Sequence, residues 1–329
     1  MKLSFRHILS DSGTLRPLAY RLLSSGWINR NQLYKKIYSR RIKSIQERSH
    51  FPRIVSVEGT NFCNSACVMC GHKNMQRPKG VMPIELYKNI LSQLKGWPIE
   101  SLLLSGFGEP LLDPLLEERI SLARSNGFGN IGIVTNASLL HPDKVSKLRI
   151  AGLDFMHISM DGATKETYQK LRPGLDFDTI VSNLSHLLST PKRPRIYIQV
   201  VTLEENIDEL NALRRMWGPK ADRLIFRQSQ DWAGQVTLPN QINSPHLIAR
   251  PQWPPCRYLW DQLNIYWDGT VPLCCLDYEA RQVVGSADKQ SLQSIWQGGE
   301  LSDIRQKHNA GHRDKIALCR HCRYFSVWW

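Results

Sequence analysis

Apolar residues recur along this chain in short blocks, and the spacing inside the blocks changes in a regular way. Between residues 51 and 228 six runs are apolar at nearly every position: IVSVE (54–58), SLLLSG (101–106), NIGIVTN (130–136), DFMHISMD (154–161), RIYIQVV (195–201) and DRLIFRQ (222–228). Runs of this length with little polar alternation fit strands buried on both faces. Each of the first five is followed by a helix-like stretch, at about 84–94, 114–125, 142–150, 164–171 with 177–188, and 206–216. Strand and helix alternating in this order predict parallel βα units, and so an α/β fold.

The pattern changes after residue 228. Residues 229–255 are rich in Pro, Gln, Asn and Trp, show no helical period and predict a linker or strap. Beyond Cys256, LNIYWDGTVPLCC predicts a hairpin turning at Asp268-Gly269, followed by two short helices, SLQSIWQGG and LSDIRQKHN. At the other end, NQLYKKIYSRRIKSIQER predicts a helix with Leu33, Ile37, Ile42 and Ile45 at partial apolar spacing. The expected division is a basic helical extension over 1–50, a core over 51–228, the strap over 229–255 and a small module over 256–329. That last module is too small and loop-rich to hold itself together by core burial, and a metal cluster would supply what it lacks.

Composition narrows the class. The chain has 329 residues, 42% of them hydrophobic, which is enough for a real core. No run of about 18 apolar residues predicts a membrane-crossing helix. The N-terminus lacks the apolar stretch and cleavage site of a secretory signal. The expectation is a cytoplasmic protein, where eight cysteines serve metals or catalysis better than disulfides. The net charge is +14, and residues 1–50 carry 11 Lys/Arg against Asp11 and Glu47. Such a basic helix suits an anionic membrane surface, held peripherally, or a phosphorylated substrate; the plainer reading is a solvated helix packed on the main domain. Specific nucleic-acid binding is not expected.

Three cysteines fall together in CNSACVMC, at Cys63, Cys67 and Cys70. Their i, i+4, i+7 spacing would also line one face of a helix, as three small buried residues. Asn61 and Asn64 nearby and Gly71 after favour a loop at the C-terminal end of the first strand, where active sites of parallel α/β folds gather. Zinc would need a fourth ligand, His72 for instance. Three thiolates instead suit a [4Fe–4S] cluster with one open iron, which can bind a cofactor as well as carry an electron.

Cys63-x3-Cys67-x2-Cys70 resembles the signature of the radical S-adenosylmethionine (radical SAM) superfamily, and later elements match over residues 54–228. The resemblance implies a partial (β/α)6 TIM-like barrel. It also implies that the open iron chelates S-adenosylmethionine and that reductive cleavage gives a 5′-deoxyadenosyl radical. A reductase such as flavodoxin or ferredoxin would feed the electron. Met69, before the third cysteine, would lie near the adenine. Gly106-Phe107-Gly108-Glu109-Pro110 would be the glycine-rich turn after strand two: glycines permit close approach and positive φ, and Glu109 suits an ammonium group. Thr135 and Asn136 end strand three, and Ser159 and Asp161 end strand four; the resemblance places such groups around the methionyl and ribose parts. Ser159 and Asp161 alternate with Met160 and so share a face. Each could instead be a helix cap or turn residue. Gln199 and Arg227 are expected to point into the barrel.

Cys256, Gly269-x4-Cys274 and Cys319-x2-Cys322 resemble the SPASM or twitch extension. CxxC pairs also hold zinc, and His308, His312 and His321 lie near. A full SPASM module has seven cysteines and two clusters. The spacing here implies one auxiliary [4Fe–4S] cluster held by Cys256, Cys274, Cys319 and Cys322. Cys275 is left over, as a packed thiol, as the true ligand in place of Cys274, or as a catalytic hydrogen-atom donor to a substrate radical.

The expected function is a radical SAM oxidoreductase that abstracts hydrogen from a C–H bond, oxidising or epimerising a sugar, nucleotide-sugar or glycan precursor. Modification of a ribosomally made peptide is the alternative, disfavoured because residues 1–50 are too short for a leader-binding module of about 80 residues. A non-enzymatic metal module binding RNA or membrane is the distant rival, and it has no use for the motifs at the strand ends.

Overall fold

The structure is a computed structural model that describes residues 32–236 and 255–322. Seven strands form one parallel sheet: β1 (Ile54–Val57), β2 (Ser101–Leu103), β3 (Ile131–Thr135), β4 (Phe155–Ser159), β5 (Arg195–Thr202), β6 (Arg223–Gln228) and β7 (Gln262–Ile265), in the order β6-β5-β4-β3-β2-β1-β7. The connecting helices are α2 (Ile84–Leu94), α3 (Leu116–Ser125), α4 (Pro142–Ala151), α5 (Lys165–Leu171), α6 (Phe177–Ser189) and α7 (Leu210–Trp217). They cover one face with a continuous core that includes Ile90, Leu102, Ile133, Ile158, Leu184 and Ile198. The opposite face lines the barrel lumen.

The six expected strands are all present, and the seventh comes from beyond the strap. Ile54 to Val57 of β1 pair in parallel with Gln262 to Ile265 of β7. The turn at Asp268-Gly269 also forms, with Gly269 at φ +85 and its amide bonded to Tyr266 O at 2.9 Å. The flanking strands do not pair with each other as a hairpin. β7 completes the barrel sheet, while β8 (Thr270–Pro272) pairs antiparallel with β9 (Val283–Ser286). The physical reason is the free edge of β1, whose unpaired amides and carbonyls are satisfied by a parallel partner.

The C-terminal module adds α8 (Tyr258–Asp261), α9 (Leu292–Gln297) and α10 (Gly299–Asn309). The basic helix α1 (Gln32–Gln46) packs on the body through its C-terminal half. Ile42 and Ile45 are buried, and Gln46 donates to Asn309 at 2.7 Å. That part of its apolar stripe is therefore spent on packing and is not free for a bilayer. The expectations for residues 1–31, 237–254 and 323–329 lie outside the described residues.

The loop from Thr60 to Val81 leaves β1 and is closed at its base. Asn61 donates to Pro78 O at 2.8 Å and accepts from Gly80 N at 2.8 Å, and Thr60 bridges Val81. Against this base runs the turn after β2. A Cβ on Gly108 would lie 2.4 Å from Thr60 O and 2.7 Å from Phe62 O, and one on Gly106 would strike Glu58. Neither glycine has a positive φ, so close approach alone requires them. The Gly108→Ala variant is expected to lose about 1–3 kcal/mol from overpacking, lowering the thermal midpoint by roughly 2–6 °C. Gly129→Ala, whose new Cβ meets nothing within 4 Å, should leave the midpoint within about a degree.

Candidate active site at the mouth of the barrel

The ends of β1 to β5 converge on the cysteine loop. Cys63, Cys67 and Cys70 are not helical; the backbone there is extended with a tight turn from Cys67 O to Cys70 N. The loop is strung along the end of α5, with Ala66 N on Pro173 O and Val68 N on Leu171 O, both at 3.0 Å. Burial raises the Cys63 thiol and pushes Cys70 up to about 12, and in each case the charge of Cys67 adds to the rise. Thiols gathered so closely resist ionising without a cation, and a metal centre supplies one. His72 spends Nε2 on Asn61 O at 2.9 Å, so that nitrogen is not offered to the thiols. Among the described residues no three His, Cys, Asp or Glu side chains converge closely enough to hold a single ion.

A residue that sequence reasoning missed holds this loop. Arg172, just past α5, donates from Nη1 to Cys67 Sγ at 3.4 Å and from Nε to Asp161 Oδ2 at 2.7 Å. Burial opposes its charge, but Asp161 and Cys67 outweigh burial and raise its pKa. Asp161 is fully buried, and its Oδ1 accepts Val201 N at 2.6 Å. Asp161 thus anchors Arg172 through Oδ2 and the end of β5 through Oδ1. Ser159 is half-buried and its hydroxyl has no hydrogen-bond partner among the described residues, so it stays open to the lumen.

Thr135 and Asn136 are likewise turned inward. Thr135 Oγ1 donates to Glu109 Oε1 at 2.6 Å, and Asn136 N donates to Glu109 Oε2 at 2.8 Å. Asn136 Nδ2 also reaches Asn64 Oδ1 at 2.9 Å, inside the cysteine loop. Both residues support Glu109, and Asn136 also supports Asn64. Glu109 itself is buried, and Leu111 N adds a third bond at 3.1 Å. Burial raises its pKa against these donors. A carboxylate has about four acceptor positions, so Oε2 keeps one, which suits the expected ammonium. Met69 is buried among Phe107, Tyr266 and Tyr278, and its carbonyl accepts Trp232 Nε1 at 2.8 Å.

The second set of cysteines also gathers. Cys256, Cys274, Cys319 and Cys322 line one cavity, shared with His308 and Arg313, and Cys275 does not line it. Burial raises Cys274 well above its usual range and pushes Cys319 and Cys275 up to about 12. His308 is buried; Nδ1 accepts Cys256 N at 3.4 Å and Nε2 lies 3.4 Å from Cys319 Sγ. Burial, then Arg313, lowers it to about 3, so the neutral ring presents Nε2–H to the sulfur. This module docks onto the arm after Cys70. Arg77 pairs with buried Glu58 at 2.7 Å and donates to Tyr278 O at 2.7 Å, while Glu279 accepts the amides of Gln76 and Arg77.

Two family models match the chain with this geometry: the radical SAM superfamily over residues 57–216 and the SPASM iron–sulfur cluster-binding domain over 256–323. The chain belongs to the radical SAM superfamily. A radical SAM domain binds S-adenosylmethionine at an iron–sulfur cluster, and a SPASM domain binds auxiliary clusters. An AdoMet-dependent heme synthase from Methanosarcina barkeri is 34% identical over 37% of this chain and 34% of its own length. A tungsten-containing aldehyde ferredoxin oxidoreductase cofactor-modifying protein from Pyrococcus furiosus is 27% identical over 48% and 46%. The chain thus spans a third to a half of these relatives. Among solved structures, Streptococcus suis SuiB bound to precursor peptide SuiA matches with TM-score 0.68 at 15% identity, over 88% of this chain and 79% of that one. BtrN in complex with AdoMet and 2-DOIA matches with TM-score 0.60 at 18% identity, over 85% and 96%. These likenesses establish the fold.

The cavity separates the two adjacent cysteines of this radical SAM protein. After anaerobic reconstitution, iron and sulfide should each approach about eight per chain. Cys274→Ala should lower both to about four, and Cys275→Ala should leave them near eight. Equal losses in the two variants would refute this assignment.

Proposed function

We propose that the chain is a radical SAM oxidoreductase acting on a C–H bond of a substrate held in the barrel lumen, with a sugar, nucleotide-sugar or glycan precursor as the substrate class. Cys63, Cys67 and Cys70 would hold the first cluster, and Cys256, Cys274, Cys319 and Cys322 the auxiliary one. Bound there, the first centre with S-adenosylmethionine supplies hydrogen-atom abstraction, and the second supplies an acceptor for the remaining electron.

The chain's own residues set the conditions for this chemistry. Arg172 places a fixed positive charge against Cys67, and Asp161 keeps it there. Glu109 offers one open acceptor position for the amino group of S-adenosylmethionine, and Ser159 offers a hydroxyl to the lumen. Phe107, Tyr266 and Tyr278 close an apolar wall beside Met69 that excludes water from the reacting side. The observation that supports the oxidative reading is that the module carrying the second cysteine cavity docks onto the arm after Cys70, beside the lumen. Arg227, at the end of β6, lies within electrostatic reach of both His157 in the lumen and Cys275 beside the second cavity. A second electron carrier next to the substrate space is what a two-electron oxidation needs.

Reconstituted protein reduced with dithionite should convert S-adenosylmethionine to 5′-deoxyadenosine, and Cys67→Ala should reduce that to background. Glu109→Gln should raise the half-saturating S-adenosylmethionine concentration about 10- to 100-fold, the worth of a charge-assisted hydrogen bond. A protein that takes up only zinc, or never forms 5′-deoxyadenosine, contradicts the proposal.

A further inference from the structure

The lumen wall formed by β4, β5 and β6 carries positive charge that no carboxylate balances among the described residues. In register, His157 lies beside Tyr197 and Tyr197 beside Arg223; further along the strands, Ser159 lies beside Gln199 and Val201 beside Arg227. Alternation of side chains places His157, Gln199, Arg223 and Arg227 on one face. Phe226 fixes which face this is, because its ring packs under Arg214 of α7 at 5.0 Å, on the helical side. Arg223 and Arg227 therefore project from the lumen side, where both are exposed to solvent.

Three other arginines around the barrel are paired, whereas Arg195 at the start of β5 donates to Asn130 Oδ1. Arg77 is matched by Glu58, Arg172 by Asp161 and Arg193 by Asp222. Arg223 and Arg227 have no carboxylate within ion-pair distance among the described residues. Two strands away on the same wall, level with Arg223, stands His157. Its Nδ1 is bonded to Gln199 Nε2, which leaves the hydrogen on the imidazole Nε2 as a further donor. Burial holds His157 neutral at about 4, and Arg227 and then Arg223 add to that fall, so both guanidinium charges reach the ring. Two forked cations and a neutral N–H donor facing one space form a donor set complementary to a carboxylate or phosphate.

We propose that Arg223, Arg227 and His157 bind a compact anionic group of the substrate, a phosphate or a carboxylate, in the lumen beside the auxiliary cysteine cavity. The inference rests on the radical SAM reading above for its assumption that the lumen is the substrate space. It goes further by stating what the substrate must carry. Gln199 holds the imidazole in the donating tautomer.

Calorimetry on the reconstituted full chain, saturated with S-adenosylmethionine, tests this with pyrophosphate and with succinate as probes. At least one probe should bind, and Arg223→Gln and Arg227→Gln should each weaken it about tenfold or more. Arg227→Lys should fall between, and Arg193→Gln, on the outer end of the sheet, should match the parent. Tighter pyrophosphate assigns a phosphate ester, and tighter succinate assigns a carboxylate. Circular dichroism and iron content identify any variant that has misfolded, and Arg227→Lys then carries the comparison. Failure of both probes to bind below about 10 mM overturns the site, as does unchanged affinity in folded Arg223 and Arg227 variants. Cleavage of S-adenosylmethionine by the parent is scored separately. Anion binding through the arginines without 5′-deoxyadenosine upholds the site and defeats the radical reading, and the converse defeats the site alone.

Discussion

A buried guanidinium holds the active end of this barrel together. Arg172 bridges Asp161, at the end of β4, and Cys67, in the loop after β1. Asp161 in turn accepts Val201 N of β5, and its backbone carbonyl accepts Asn206 Nδ2. One charged pair thus ties two strand ends, those of β4 and β5, to the cysteine loop. Breaking such a pair from one side leaves an uncompensated buried charge, at a cost of about 3–5 kcal/mol. The same arrangement has a chemical consequence, because the positive charge nearest Cys67 is fixed in place before any cofactor arrives.

The second constraint is the docking of the C-terminal module onto the first cysteine loop. Glu58 accepts both forks of Arg77, and it also accepts Phe107 N at 2.9 Å and lies near Trp267 N. A single buried carboxylate therefore joins the end of β1, the glycine turn, the arm after Cys70 and the strand leading to Cys274. Gly71 and Gly80 make room for Tyr278 and Trp267, whose rings would collide with any Cβ there. The module is small, yet it is not independent, since β7 is a barrel strand and the arm is its floor. The shared framework holds the two cysteine sites in a fixed relation to each other.

Much of this was legible in the sequence. The six strands follow from short apolar runs alternating with helix-like stretches, although β1, β2 and β5 are fully buried only at alternate residues, on the helical side. The cysteine loop follows from its spacing and its place after β1, and the GFGEP turn from the resemblance to the radical SAM superfamily. The seventh strand was misread as a hairpin arm, since QLNI carries no local mark of its partner and pairs with residues some 208 positions earlier. Thr135, Asn136 and Asp161 were legible as polar strand ends, but their bonds to Glu109, Asn64 and Arg172 were not. Arg172 and the Glu58–Arg77 pair also went unread. An ion pair between distant segments leaves no periodic signal, and only the folded chain shows that Arg172 lies against Cys67.

The central claim is that Cys63, Cys67 and Cys70 leave one iron for the amino and carboxylate groups of S-adenosylmethionine. Electron–nuclear double resonance on the reduced, reconstituted protein with S-adenosylmethionine labelled in its carboxylate with oxygen-17 tests this directly. The account predicts a resolved oxygen-17 coupling to the reduced cluster that vanishes when unlabelled S-adenosylmethionine is used. Bound S-adenosylmethionine with no such coupling would contradict it.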